Sequence, residues 1–274
     1  MEVATKTLNY NAISEGISEW LKDYATKAGA KGFVLGVSGG IDSAVVSALC
    51  AKTGLPLLIL EMPIHQGTAE VDRAKNHIQW LKDNYDNVES IKIDLTEAYD
   101  VLHIAFDVQA IPVTEEDFEF SMSNTRSRLR MLTLYQYAGT HKYLVAGTGN
   151  KVEDFGIGFY TKYGDGGVDI SPIADLMKSE VYALGAELGV HSDILTAAPT
   201  DGLHDDARTD EMQIGATYDE LEYAMDFRAN GRDTDEDGLT ERQIEVIRIY
   251  DKFHNSNKHK MESIPVFETS KFRK

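Results

Sequence analysis

One feature constrains the fold of this chain more than any other: a short apolar run that opens directly onto a glycine-rich turn and then a helix. Phe33-Val34-Leu35-Gly36-Val37 shows no polar alternation, the pattern of a parallel strand covered on both faces. Ile41 to Lys52 follows as a helix with Gly54 at its end. Similar runs at Leu57 to Leu60, Val88 to Ile93 and Tyr143 to Ala146 read as strands. They alternate with helical stretches near Thr68 to Lys82, Leu95 to Phe106, Asn124 to Gly139 and Met177 to Leu188, the last ending at Gly189. Ile13, Ile17, Trp20, Leu21 and Tyr24 mark one face of a helix that stops at Gly29. This βαβ rhythm predicts an α/β fold, a parallel sheet with helices on both faces.

Two segments resist the rhythm and read as long loops: Gly147 to Asp169, and Thr200 to Glu211 with its crowded aspartates. Loops of such length in a compact domain are usually functional or mobile. No repeat, low-complexity tract or Pro- or Ser-rich linker marks a second domain, so residues 1–274 are expected to form one.

Composition narrows the function. With 42% hydrophobic and 26% charged residues the chain can bury a large core. A formal charge of -18 argues against a nucleic-acid partner, because binding the phosphate backbone rests on Lys and Arg displacing counterions. Cys50 is the single cysteine, so neither an internal disulfide nor a thiolate metal cluster can form. Its place among Val45, Val46 and Leu49 suggests a buried structural thiol. Met1 to Asn11 lacks the layout of a signal peptide, and no window approaches the ~20 apolar residues of a membrane span. A cytoplasmic protein without membrane contact is the expectation.

Ser38-Gly39-Gly40-Ile41-Asp42-Ser43 occupies the first βα turn, where open α/β sheets gather their ligands and a helix N-terminus faces an anion. Gly39 and Gly40 let the backbone approach a phosphate, and Ser38 and Ser43 offer hydroxyls. Asp42 is unfavourable beside a phosphate unless a cation intervenes, which makes it a candidate Mg2+ ligand. Taken alone, Ser-Gly-Gly reads equally as a flexible turn, with Asp42 merely favouring the helix N-terminus. The string matches neither a Walker A loop nor Gly-x-Gly-x-x-Gly.

The full string resembles the SGGxDS loop of the N-type ATP pyrophosphatases. Gly147-Thr148-Gly149-Asn150-Lys151-Val152-Glu153, continued by Gly158 to Gly167, resembles the central signature of the NAD synthetase family. Asn124 to Met131, Lys178, Ala198-Pro199-Thr200 and His259-Lys260 fall in the order that family presents them. The resemblance runs from about Lys31 to Lys260 and implies an adenine nucleotide alpha hydrolase-like, Rossmann-like three-layer sandwich. It also implies a reaction in which the carboxylate of deamido-NAD attacks the α-phosphorus of ATP and ammonia then displaces AMP.

On that resemblance Asp42 and Glu153 hold Mg2+, and Gly36, Val37, Ser38, Gly39, Gly40, Ile41, Asp42, Ser43, Thr148, Lys178 and Thr200 line ATP. Asp42, Glu153 and Lys178 are the catalytic group. Arg128, Lys162, Asp169, His259 and Lys260 fall where the family contacts deamido-NAD. Arg128 is preferred to Arg130, since Arg126, Arg128 and Arg130 cannot all face one ligand from a helix. Glu153 as a solvated loop acid, and Thr148 or Thr200 as turn residues, remain open.

The chain departs from the family in reading Thr148-Gly149-Asn150-Lys151-Val152-Glu153 where many members read Thr-Asp-His-Ala-Ala-Glu, and Glu153 to Lys162 is one residue longer. Thr200-Asp201-Gly202-Leu203 replaces a more usual Thr-Ala-Asp-Leu. The amidase domain of glutamine-using members would need a far longer chain, so free ammonia is expected, with a separate glutaminase as a possible source. Family resemblance further implies a homodimer. Another adenylating ligase of the same group, or a non-catalytic nucleotide sensor, are the competing readings.

Asp233 to Gly238 begins like a calcium loop, but the twelfth position is Ile244 rather than Glu, so it reads as an acidic lead into a helix near Thr240, capped with Gln243. Lys252, His254, Lys258, His259 and Lys260 form a basic cluster read either as a solvated tail or as a segment folding over an anionic substrate.

Overall fold

A computed structural model describes residues 8–107, 112–200, 209–234 and 238–273. Four parallel strands, β1 (Phe33–Gly36), β2 (Leu57–Glu61), β3 (Val88–Lys92) and β4 (Leu144–Val145), lie in the order β3-β2-β1-β4. Val34 pairs with Leu58 on one side and with Val145 on the other. β4 is shorter than the apolar run Tyr143 to Ala146 suggests, and a bridge between Ala146 and Ile170 extends that edge by a single pair.

Alternation along the strands divides the core. Phe33, Leu35, Leu57 and Ile59 pack with Leu21 and Ala25 of α1 (Tyr10–Ala28), Ala44, Ala48 and Leu49 of α2 (Ile41–Lys52), Ile78 and Leu81 of α3 (Thr68–Asn84) and Val181 and Leu184 of α6 (Lys178–Glu187). Val34, Leu58, Leu60 and Val145 face the other way, against Tyr99 of α4 (Thr96–Phe106) and Met122 and Ala138 of α5 (Glu115–His141). Sequence and structure thus agree on a parallel sheet sandwiched by helices.

Local chemistry sets the helix ends. Asn9 accepts the Ala12 N–H at 3.0 Å to start α1, and Gly29, at φ 70°, ends it in the left-handed region that glycine adopts without strain. Thr114 caps α5, followed by Glu115, Glu116 and Asp117 in the first turn, where acids favour the positive end of the helix dipole. That cap starts α5 nine residues before the periodic segment Asn124 to Gly139 suggests.

Short helices α7 (Ser192–Leu195), α8 (Asp210–Ile214) and α9 (Tyr218–Ala229) carry weak periodicity and were not anticipated. Residues 201–208 and 235–237, parts of the acidic loop and of the calcium-like run, lie outside the described residues. α8 corrects the reading of Thr200 to Glu211 as loop throughout, because Thr209 caps a new helix by accepting the Met212 N–H at 3.2 Å. α10 (Glu241–Met261) begins with the expected Thr240–Gln243 capping box. It runs through Lys252 to Lys260, so the basic cluster is not a solvated tail but the last turns of a long helix. Val246, Ile247 and Tyr250 of α10 join Leu221 and Phe227 of α9 in a further apolar cluster with Val152 and Ile157.

Candidate active site

β1 is paired on both sides, and the chain leaves it toward α2 while β4 leads into residues 147–170, so the strand order reverses at β1. Such switch points open a crevice at the carboxyl ends of the strands. A cavity of about 290 Å3 occupies it, lined by residues 36–43 on one side and by Gly147, Thr148, Gly149, Glu153 and Asp154 on the other. Lys178, Thr200 and Asp210 complete its wall.

Gly39 has φ +86°, and a Cβ there would lie 2.7 Å from the Glu70 carbonyl oxygen, so only glycine lets the turn pack on the first turns of α3. The serine hydroxyls partly knit the loop itself. Ser43 Oγ donates to the Gly40 carbonyl at 3.1 Å, and Ser38 Oγ accepts the Gly40 N–H at 3.2 Å.

Across the cavity, Val152–Ile157 forms a π-helical turn, which corrects the reading of Gly147 to Asp169 as loop throughout. π turns are frequent at functional sites. Asn150, fully buried, holds the turn: its Oδ1 accepts from Val152 N and Glu153 N, both at 3.1 Å, while its Nδ2 donates to Asp42 Oδ1 at 3.1 Å. The amide thereby locks the acid of one motif to the backbone of the other.

Lys178 is the first residue of α6, and its side chain, 4% exposed, points between the two acids. Its Nζ lies 2.6 Å from Asp42 Oδ2 and 2.9 Å from Glu153 Oε1. Burial alone would push the ammonium down, but the Asp42 and Glu153 carboxylates override it and hold Lys178 above the usual lysine range. Burial raises Asp42, partly offset by Lys178. For Glu153 the attraction of Lys178 and the hydrogen bond from Tyr218 outweigh burial and leave it below the usual carboxylate value.

Tyr218 was not anticipated. Its hydroxyl donates to Glu153 Oε1 at 2.5 Å with Asp210 Oδ2 at 3.2 Å, and its ring lies 4.7 Å from Lys178 Nζ. The visible signal was confined to the capping motif Thr217 to Glu220 just before it.

Asp154 fills the space beside Gly149, where a Cβ would lie 2.1 Å from Asp154 Oδ1. Burial, with Glu153, Asp165 and Asp42 nearby, pushes its carboxyl up to about 8. Asp154 also borders a second cavity of about 180 Å3, together with Phe155, Tyr160, Asp165 and Lys260. Lys260 Nζ donates to the Gly158 and Tyr160 carbonyls at 2.9 and 2.8 Å, and Asn257 Nδ2 to the Ile157 carbonyl at 2.8 Å, so the end of α10 clamps the π turn.

Of the residues read as a second-substrate set, Arg128, Lys162 and His259 are linked to one another by hydrogen bonds, with Lys260 next in the chain. Lys162 Nζ donates to the His259 carbonyl at 2.7 Å, and Arg128 Nε to the Lys162 carbonyl at 3.3 Å. Asp169 is pinned by Tyr135 and the Val145 N–H, and the His259 ring turns back on the Ser256 carbonyl. Of these five, Lys260 alone borders a described cavity, whereas Arg130 lines the larger one and donates to Met62 O at 3.2 Å and Gln66 Oε1 at 2.8 Å.

A parallel α/β sheet with a phosphate-type loop at its switch point, faced by a buried acid–lysine–acid cluster, defines an enzyme of nucleotide chemistry. The family model described as NAD synthase matches residues 13–264, and the chain belongs to that family, as a ligase. It is 35% identical over 250 residues to a Finegoldia magna protein named NH(3)-dependent NAD(+) synthetase, covering 91% of this chain and 97% of the relative. The solved NMN synthetase from Francisella tularensis superposes with a TM-score of 0.80 at 33% identity, covering 94% of this chain and 98% of its own. The NH3-dependent NAD synthetase from Campylobacter jejuni, solved with nitrate, gives 0.74 at 26%, covering 95% and 100%. Among the described residues no helix is long and apolar enough to cross a membrane.

Proposed function

We propose that this chain catalyses the ATP-dependent amidation of deamido-NAD to NAD with free ammonia as nitrogen donor, releasing AMP and pyrophosphate. One observation carries the reading: the loop at residues 38–43 and the segment from Gly147 to Gly167, the ATP motif and the second-substrate motif, border one cavity. The near-complete overlap with a relative named for ammonia dependence supports the donor. A single domain over residues 1–274, a homodimer and a cytoplasmic location, with a separate glutaminase as a possible ammonia source, belong to the same proposal.

Lys178, held cationic, balances charge when one anion attacks another, and the loop N–H groups and the start of α2 orient the phosphates. Asn150 and Tyr218 fix Asp42 and Glu153 in register with that lysine. Two carboxylates converging on the cavity form an all-oxygen donor pair that suits Mg2+ bound jointly with substrate phosphates. Asp42 and Glu153 are the residues that would hold it, and the ion when bound supplies charge neutralisation at the phosphates.

The purified chain with Mg2+, ATP, deamido-NAD and ammonium is expected to form NAD with stoichiometric pyrophosphate, and hardly any product with glutamine. Equal rates with glutamine would sink the ammonia assignment. The Francisella likeness favours a second reading, in which nicotinate mononucleotide is the acid amidated. The ratio of kcat/KM for the two acids decides between them.

A further inference from the structure

We infer that Arg73 is a binding residue for the pyrophosphate end of ATP, a contact that none of the sequence motifs supplies. The inference rests on the proposed ATP-dependent reaction.

Arg73 sits in the second turn of α3, half-buried, and lines the larger cavity. Its Nε donates to the Gly39 carbonyl at 3.3 Å, which anchors the guanidinium against the phosphate loop. The closeness is built into the backbone. The direction in which a Cβ on Gly39 would point is filled by the Glu70 carbonyl oxygen at 2.7 Å, Ala74 N at 3.1 Å and Arg73 Cβ at 3.2 Å. α3 therefore packs directly on the turn, and the arginine is delivered to it by main-chain packing.

The neighbours sharpen the assignment. Glu70, one turn before Arg73, accepts from Thr200 Oγ1 at 3.0 Å, and the adjacent Asp72 pairs with Lys75 at 3.7 Å, so both nearby acids are engaged elsewhere. No ion pair involves Arg73 among the described residues. Lys178, which reaches the loop from α6, is committed to Asp42 and Glu153. The second cavity shares Gly149 and Asp154 with the larger one, beside Glu153 of that cluster, and this places the α-phosphorus at the cluster's end of the loop. The remaining two phosphates then run along Ser38 to Gly40, where Arg73 waits. Nε is used by the loop and the two terminal nitrogens are left for a bidentate grip on phosphate oxygens. Such a contact holds charge that grows on the leaving group as the α-β bond breaks.

Two variants test this, Arg73→Gln and Arg73→Lys, with calorimetric binding of inorganic pyrophosphate and, separately, AMP, each with Mg2+, beside steady-state kinetics. Arg73→Gln is expected to weaken pyrophosphate binding and raise KM for ATP by about 10- to 100-fold, the loss of a hydrogen bond to a charged group. AMP affinity and KM for the acid substrate should stay within about twofold, and Arg73→Lys should fall between. Pyrophosphate affinity unchanged in Arg73→Gln overturns the inference. So does a parallel loss of AMP affinity, which would mean that Arg73 only props the loop. Because the calorimetry needs no turnover, it separates failure of this inference from failure of the proposed reaction, which the wild-type assay reports.

Discussion

At the scale of single residues, Lys178 is bound to two carboxylates whose positions in the chain are more than a hundred residues apart, and removing any one of the three leaves an imbalance. Lys178→Met would leave two buried acids without their cation, and breaking a buried pair in this way costs on the order of 3–5 kcal/mol. A lowered melting temperature together with loss of turnover is expected, and a variant as stable as wild type would show that the cluster is better hydrated than its burial indicates. Asp42→Asn, which keeps the amide from Asn150 within reach of an oxygen, should abolish turnover at smaller cost in stability. His77 makes a prediction about pH. It is 1% exposed, stacks on Trp80 and meets Ser47 Oγ at 2.9 Å, and burial pulls it down from 6.5 to about 4. The unfolded chain takes up its proton below pH 6.5 while the native ring stays neutral until about 4, so stability contributed by the neutral ring is full above 6.5 and is lost as pH falls through that window, by about 3 kcal/mol. Denaturant midpoints between pH 7 and 4 should show this slope, and His77→Gln should flatten it.

Among the elements, the π turn Val152–Ile157 joins Glu153, a proposed Mg2+ ligand, to the segment that Lys260 clamps. Gly158 follows it at φ +61°, and a Cβ there would lie 2.5 Å from Asn257 Cβ and 2.8 Å from Met261 Cε. Gly158→Ala is therefore strained twice, by conformation and by the end of α10, and should cost about 2 kcal/mol. Because Glu153 and the Lys260 clamp shift with the turn, KM for the acid substrate should rise more than KM for ATP; an equal rise in both would place the damage at Glu153 instead. This element also marks the limit of what the sequence discloses. Asp42 could be singled out from its place in a strand–turn–helix, whereas Glu153 and Lys178 entered through the family resemblance rather than through local pattern. Asn150 and Tyr218 were not legible, because their roles depend on contacts across 108 and 65 residues that no periodicity encodes. Arg128 was placed by the resemblance and preferred to Arg130, and helical spacing could not show that Arg130 is the one that reaches Met62 just after β2. Helix α10 was legible from its capping box, but its continuation through the basic cluster rests on packing against residues 156–160.

For the whole molecule, net charge and exposed apolar surface pull in opposite directions. A formal charge of -18 makes two copies repel, so a dimer forms only where burial outweighs that repulsion. The helices α4 and α5 offer such surface: Val101 is 60% exposed and Ile104 75%, three residues apart on one face of α4, and Phe120 and Leu132 on α5 are 68% and 62% exposed. A standard interface buries about 800 Å2 on each partner. If this face closes the proposed homodimer, Ile104→Glu combined with Leu132→Glu should give a monomer by light scattering while the melting temperature holds, since neither side chain is in the core. Ionic strength supplies an independent arm. Raising salt from about 0.01 M to 0.15 M shortens the screening length from about 30 Å to 8 Å, so the acidic copies should associate more tightly, opposite to an interface held by complementary charges. A dimer that weakens with salt, or one that survives both glutamates, would move the interface away from α4 and α5.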